Sequence, residues 1–294
     1  MTSDTAPPGG TTRPLRPLIL GAGGLVGSAL GEYFERRYPD TVSATRVELD
    51  ITDRWRLEAE LERLQPNVVI NAAALADVDR CEADPLAARR INEEGPANLA
   101  AACAGARCKV VHISTDYVFD GNARREYDEA DPPNPINVYG VTKLRGEMAV
   151  LERLPDALVV RTSFVFGPGR PTFADRILEA LRRGERVRAV PQWINKPTHT
   201  GEIAAGVERL LLAGETGLWH VASSPAVDKL TFARKVAELA GFDPGSIEAV
   251  PPEALGLRAP RPLRTPLSTA RYEARFGPVL GGWEAALAAH LAAR

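Results

Sequence analysis

Residues 18–27 read Leu18-Ile19-Leu20-Gly21-Ala22-Gly23-Gly24-Leu25-Val26-Gly27, and a helical pattern begins at once behind them. An apolar run that ends on glycine and passes straight into a helix has the form of a nucleotide-binding turn. Gly21 permits the tight turn, Gly24 lets a pyrophosphate approach the backbone, and Gly27 lets the helix pack close to the sheet. The helix N-terminus adds free amides and a favourable dipole for phosphate. Gly21, Gly24, Leu25 and Val26 are the candidate cofactor contacts in this turn. A Gly-rich turn by itself needs no ligand, and the spacing differs from the G-x-G-x-x-G of many long-chain dehydrogenases. Its place between a strand and a helix carries the nucleotide reading.

From Leu18 onward, short apolar runs alternate with helical patterns. The runs cover 17–20, 41–44, 67–71, 109–113 and 157–160, with helix-period segments at 25–37, 54–64, 85–104 and 138–154. Such runs, separated by helices, are strands buried on both faces of a parallel sheet. The fold class is therefore α/β: a Rossmann-type doubly wound parallel sheet with a smaller C-terminal substrate domain. Residues 17–165 are expected to form the NAD(P)-binding domain. Beyond Gly167 the rhythm loosens, with helical patterns at 173–183, 201–212, 230–240 and 282–293 and a strand-like run at 217–221. Residues 166–294 are expected to bind substrate and partly to return to the first domain. Residues 1–16, with Thr, Pro and Gly but no apolar run, are expected to be a disordered leader rather than a signal peptide.

Composition narrows the function. Acidic and basic residues nearly balance, 38 against 36, without the basic excess of a nucleic-acid binder. No stretch of about 18 apolar residues occurs, so no membrane span is expected. Cys81, Cys103 and Cys108 lack metal-ligand spacing and fit a reducing cytoplasm. His112, inside the fourth strand, reads as a packed core histidine. His199, His220 and His290 lie far apart with no carboxylate at metal spacing, so no metal centre is expected.

The second strand ends Val42-Ser43-Ala44-Thr45-Arg46. An acidic residue there would bind the adenosine ribose and repel a 2′-phosphate. Arg46 instead can fork onto that phosphate, which favours NADPH and leaves NADH as a second cofactor. Asp50 and Ile51 fall where an adenine edge is contacted. Further on, Tyr139-Gly140-Val141-Thr142-Lys143 opens a helix, so phenol and ammonium share one face. A cation there stabilises phenolate and lowers the tyrosine pKa. The fourth strand delivers Thr115 at its carboxyl end, where ligands sit in open parallel sheets. Its hydroxyl can bind a carbonyl while Tyr139 donates a proton.

The set GAGGLVG (Gly21–Gly27), NAAA (Asn71–Ala74), STDYVFDG (Ser114–Gly121), NVYGVTK (Asn137–Lys143) and RTSFVFGPG (Arg161–Gly169) resembles the dTDP-4-dehydrorhamnose reductase family. That family is the sugar-reductase branch of the extended short-chain dehydrogenases. The resemblance implies Thr115, Tyr139 and Lys143 as the catalytic trio, with Lys143 also holding the nicotinamide ribose. It implies that Asn71, Ala72 and Ala73 line the cofactor, that Ser163 to Val165 flank the nicotinamide, and that Asp116 and Tyr117 approach the sugar. Phe164 stands where these reductases usually carry Trp, so the sugar-facing wall differs. Arg261-Pro262 and Leu267-Ser268-Thr269 echo the family's C-terminal pattern, with Arg261 a candidate substrate contact, whereas residues 263–266 do not. The implied substrate is a nucleotide-linked 6-deoxysugar, and a homodimer stays open.

Three other readings compete. A 4,6-dehydratase carries Thr-Asp-Glu, and Tyr117 here replaces the Glu that abstracts a proton. An epimerase would normally keep NAD on an acidic second-strand end. A non-catalytic NADP-binding regulatory subunit, like that of methionine adenosyltransferase, also resembles this branch, and the acidic loop 127–131 fits it equally well. Asp77 and Asp79 either bind substrate or cap the helix near Asp84.

Overall fold

The structure, a computed structural model, describes residues 14–278 and 280–294. Strands β1 (Pro17–Leu20), β2 (Val42–Ala44), β3 (Val68–Asn71), β4 (Lys109–Thr115), β5 (Leu158–Thr162) and β6 (Gly217–His220) form one sheet. Their order is β6-β5-β4-β3-β1-β2, and every pairing is parallel. Helices α1 (Leu25–Glu35), α2 (Arg54–Leu64), α3 (Gly95–Ala106), α4 (Val138–Arg153) and α5 (Thr200–Leu212) cover it.

Alternation along the strands fills both faces. Ile19, Ile70, Val111 and Val160 meet Leu30 and Phe34 of α1 and Ile203 and Val207 of α5. Leu18, Leu20, Val69 and Val110 meet Leu57 and Leu61 of α2, Leu99 of α3 and Val150 of α4. Each such side chain stabilises the layers by roughly 1.5–3 kcal/mol when fully buried. β2 lies outside β1, whereas β3 to β6 build the other way. The crevice at this reversal, beyond the carboxyl ends of β1 and β3, is where ligands bind in open α/β sheets.

The C-terminal half supplies β6, which pairs with β5 and completes the sheet. A second core gathers Phe166, Ile177, Phe232, Trp283 and Leu287. It is built from the helices Phe173–Arg182, Lys229–Leu239 and Trp283–Ala292.

Two expectations need correction. Residues 85–104 are not one regular helix: Pro85–Arg89 leads into a wide π turn at Arg90–Glu94 before α3 begins. Asn92 sits in that turn with its amide aimed inward. It accepts from the Leu75 backbone at 2.8 Å and donates to the Leu75 carbonyl at 3.1 Å and to Thr142 at 3.3 Å. A buried amide with three partners holds the extra residue in place. Residues 14–16, expected to be disordered, are instead held by the fold. Asn67 ties the chain down, accepting from Arg16 N at 2.7 Å and donating to Pro14 O at 2.8 Å, and Leu15 is buried. The rest of the expected leader, residues 1–13, lies outside the described residues.

Candidate active site

Glycine is required where β1 turns into α1. Gly21 has φ +80°, and a Cβ there would lie 2.6 Å from Ala73 N. A Cβ on Gly27 would stand 2.1 Å from the Gly21 carbonyl oxygen, so strand turn and helix touch backbone to backbone. Gly24 is the N-cap of α1 and no side chain caps it, which leaves the first amides open to an anion. Leu25 and Val26 follow, half-buried, in the first helical turn. This cradle fits a dinucleotide pyrophosphate.

At the end of β2, Arg46 is exposed and pairs with Asp50 at 3.0 Å. Glu48 accepts from both the backbone N–H and the hydroxyl of Thr45, each at 2.8 Å. The Ile51 side chain is buried against Gly95. Asn71 ends β3, and Ala72 and Ala73 follow it in the turn, with Ala73 packed on Gly21. Asn71 is buried; its Oδ1 accepts from Ala73 N at 3.0 Å, and its Nδ2 lies 3.1 Å from His112 Nδ1.

Thr115 is the last residue of β4, and Asn137 starts α4 by accepting from Gly140 N at 2.8 Å. Gly140 lets α4 press onto the segment after β4, since a Cβ there would stand 2.1 Å from the Tyr117 carbonyl oxygen. That approach sets the Tyr139 phenol beside the Thr115 hydroxyl, with the Tyr117 ring edge-on at 5.8 Å. Lys143, one turn on, donates to Ile113 O at 2.7 Å and lies 3.3 Å from His112 Nε2. Burial draws the lysine pKa down to about 8 against the opposing pull of Glu147. The expected lowering of the tyrosine pKa is not found. Burial pushes the Tyr139 phenol up, opposed by the Thr115 hydroxyl, because the lysine nitrogen is engaged by β4 rather than by the phenol.

Asp116 also departs from expectation. It is buried, and its carboxylate accepts from Ser163 at 2.9 Å, from Asn195 at 3.1 Å and from the Thr265 hydroxyl. Burial raises its pKa against those bonds. The carboxylate joins four segments of chain rather than standing open to sugar hydroxyls. Ser163 turns its hydroxyl into this knot. Thr265 belongs to the stretch 263–266 that breaks the family's pattern, yet it reaches the site. Phe164 has φ +41°, and the Lys229 side-chain nitrogen lies over its ring. Arg261 is bound by Asp79 at 3.1 Å, so Asp79 anchors a C-terminal loop. Asp77 caps its own helix, Val78–Ala83, while Asp84 caps the next.

The sequence reading missed His112, Asn195 and Thr265 as members of the site. Among the described residues no group of three or more His, Cys, Asp and Glu side chains is placed to hold a metal, and no helix is long and apolar enough to cross a membrane.

Residues 15–294 match the family described as RmlD substrate binding domain. The chain belongs to the dTDP-4-dehydrorhamnose reductase family. A relative of that name from Streptomyces griseus is 35% identical over 278 residues, covering 92% of this chain and 91% of the relative. A probable low-salt glycan biosynthesis reductase from Haloferax volcanii is 36% identical over 276 residues, covering 88% of this chain and 91% of the relative. Among solved structures, the family's Bacillus anthracis dTDP-4-dehydrorhamnose reductase in complex with NADP superposes with a TM-score of 0.92. It is 28% identical, and the match covers 96% of this chain and 100% of that one.

Proposed function

We propose that this chain uses NADPH to reduce the 4-keto group of a nucleotide-linked 6-deoxysugar, as in dTDP-4-dehydrorhamnose to dTDP-rhamnose. The observation that carries the reading is the meeting of Thr115 and Tyr139 at the carboxyl end of β4, with Lys143 one turn behind. The names of the relatives and the NADP bound to one of them support it.

Gly21, Gly24, Leu25 and Val26 hold the pyrophosphate, Arg46 exchanges Asp50 for the 2′-phosphate, and Asn71, Ala72 and Ala73 line the cofactor. Ser163 braces that wall through Asp116. When bound, NADPH supplies a hydride, and NADH serves as a weaker substitute. Tyr139 donates its proton to the carbonyl oxygen while Thr115 hydrogen-bonds the same oxygen. Burial favours this direction, because a phenol pushed up in pKa starts the reaction as a donor. Tyr117, Phe164 and Arg261 stand on the substrate side, with residues 17–165 as the cofactor domain and residues 166–294 as the substrate region, part of which returns to the first domain. Three free, buried thiols fit a reducing cytoplasm.

The test is NADPH oxidation with a panel of dTDP-4-keto-6-deoxysugars. Turnover is expected, and Tyr139→Phe should lower it by about 10²–10⁴-fold while NADPH still binds. A chain that binds NADPH yet oxidises none across the panel would be a regulatory protein instead.

A further inference from the structure

Three pieces of chain meet where α4 begins. Asn137 is buried there and works in two directions. Its Oδ1 caps α4 by accepting from Gly140 N at 2.8 Å, and its Nδ2 donates to Pro260 O at 2.9 Å. The short helix Val78–Ala83 holds both partners. Its Glu82 carboxylate accepts from Val138 N, the first amide of α4, at 3.1 Å. One turn earlier, Asp79 accepts from Ala259 N at 2.9 Å and pairs with Arg261 at 3.1 Å. The chain then passes Gly121, where a Cβ would stand 2.7 Å from Leu263 N, and reaches Thr265, whose hydroxyl donates to Asp116. The loop 259–265 is thus fastened at one end to the helix that carries Tyr139, and at the other to the residue after Thr115.

We propose that Asn137 is a positioning residue that latches loop 259–265 onto the start of α4, and so keeps the substrate-side wall in register with the proton donor. Its catalytic consequence rests on the reductase reading. Tyr139 stands two residues past Asn137, so a shift of the loop relative to the Asn137 amide is a shift relative to the phenol. Proton transfer tolerates little such play, because a displacement of about 1 Å can cost about 10²-fold in rate. Capping alone does not call for an amide: it needs one side-chain oxygen, and Ser supplies that as well as Asn does. The amide's NH₂ is the part that serves the loop.

The test begins without sugar, so it stands apart from the test of that reading. Asn137→Ser keeps an oxygen for the Gly140 N–H and removes the arm to Pro260. Hydrogen–deuterium exchange on the full chain, read by mass spectrometry, should show the segment 259–265 exchanging about 2–10-fold faster, the worth of one hydrogen bond, with the central sheet unchanged. Asp79→Ala frees the same loop from the other side without touching the cap, and should give the same pattern. Unchanged loop exchange in either variant, or faster exchange throughout the sheet, would overturn the proposal. Steady-state kinetics follow, with the sugar that the parent chain reduces. In each variant kcat/KM for the sugar should fall by about 3–10-fold while NADPH affinity holds. A loosened loop with undiminished kcat/KM, or an equal loss of NADPH binding, would also overturn it. A parent chain that reduces no sugar would sink the reductase reading instead, and the exchange result then decides the latch alone.

Discussion

Arg46 is the single residue on which cofactor choice turns. Its guanidinium already holds a carboxylate, Asp50, at 3.0 Å, while more than half its side-chain surface stays exposed, so exchange for a phosphate needs little rearrangement. Arg46→Ala should weaken NADPH by about 1.5–3 kcal/mol, the worth of a charge-assisted hydrogen bond, and NADH far less. Fluorescence titration of both cofactors checks this; equal losses would make Arg46 merely structural. Arg46, Thr115 and Tyr139 were legible in the sequence because short local patterns place them. Asn195 and Thr265 were not, because they reach Asp116 from 79 and 149 residues away. His112 was legible as a buried histidine, but its bonds to Asn71 and Lys143 depend on how three elements pack.

At the scale of elements, the β1–α1 contact decides whether a cofactor is held. Gly27→Ala would set a methyl 2.1 Å from the Gly21 carbonyl, where no flexible side chain can yield. The helix must then move off the strand, costing about 1–3 kcal/mol. A lower Tm together with lost NADPH binding is expected. An unchanged Tm with intact binding would show that the close approach is not required. Strands and most helices were legible because burial on both faces, or on one stripe, leaves a strict period. The π turn at Arg90–Glu94 was not, since it follows from the partners of one amide, Asn92, across the fold.

The whole molecule joins its halves through β6, and that junction carries a pH signature. His220, the last residue of β6, is held down to about 3 by burial and by the nearby Arg161. An unfolded chain takes up a proton at this histidine near pH 6.5, which the native chain refuses. Its contribution is complete above that pH and is lost as pH falls, at about 1.4 kcal/mol per unit. The buried carboxyls Asp116, Glu129 and Glu202 are raised by burial and act in the opposite sense, so a variant must isolate the histidine. Urea unfolding at pH 6.5 and 5 should show His220→Gln losing about 2 kcal/mol less than the parent chain. Equal losses would mean that His220 protonates without cost in the native fold.

Reduction and dehydration of a 4-keto sugar differ in one bond, and the same molecule decides between them. Dehydration removes a proton from the carbon beside the ketone and needs a base next to Thr115. Tyr117 is a phenol pushed further up by burial and by Asp116, and the Asp116 carboxylate is tied by Ser163, Asn195 and Thr265. Neither serves as that base. The direct measurement is turnover of a dTDP-4-keto-6-deoxysugar with unlabelled NADPH in deuterated water, followed by mass and NMR analysis of the product. One NADPH should be consumed per 4-hydroxy sugar formed, with protium at carbon 4 and no deuterium at the neighbouring carbons above a no-enzyme control. Deuterium beside the former ketone would show proton abstraction at this site and contradict the reductase account.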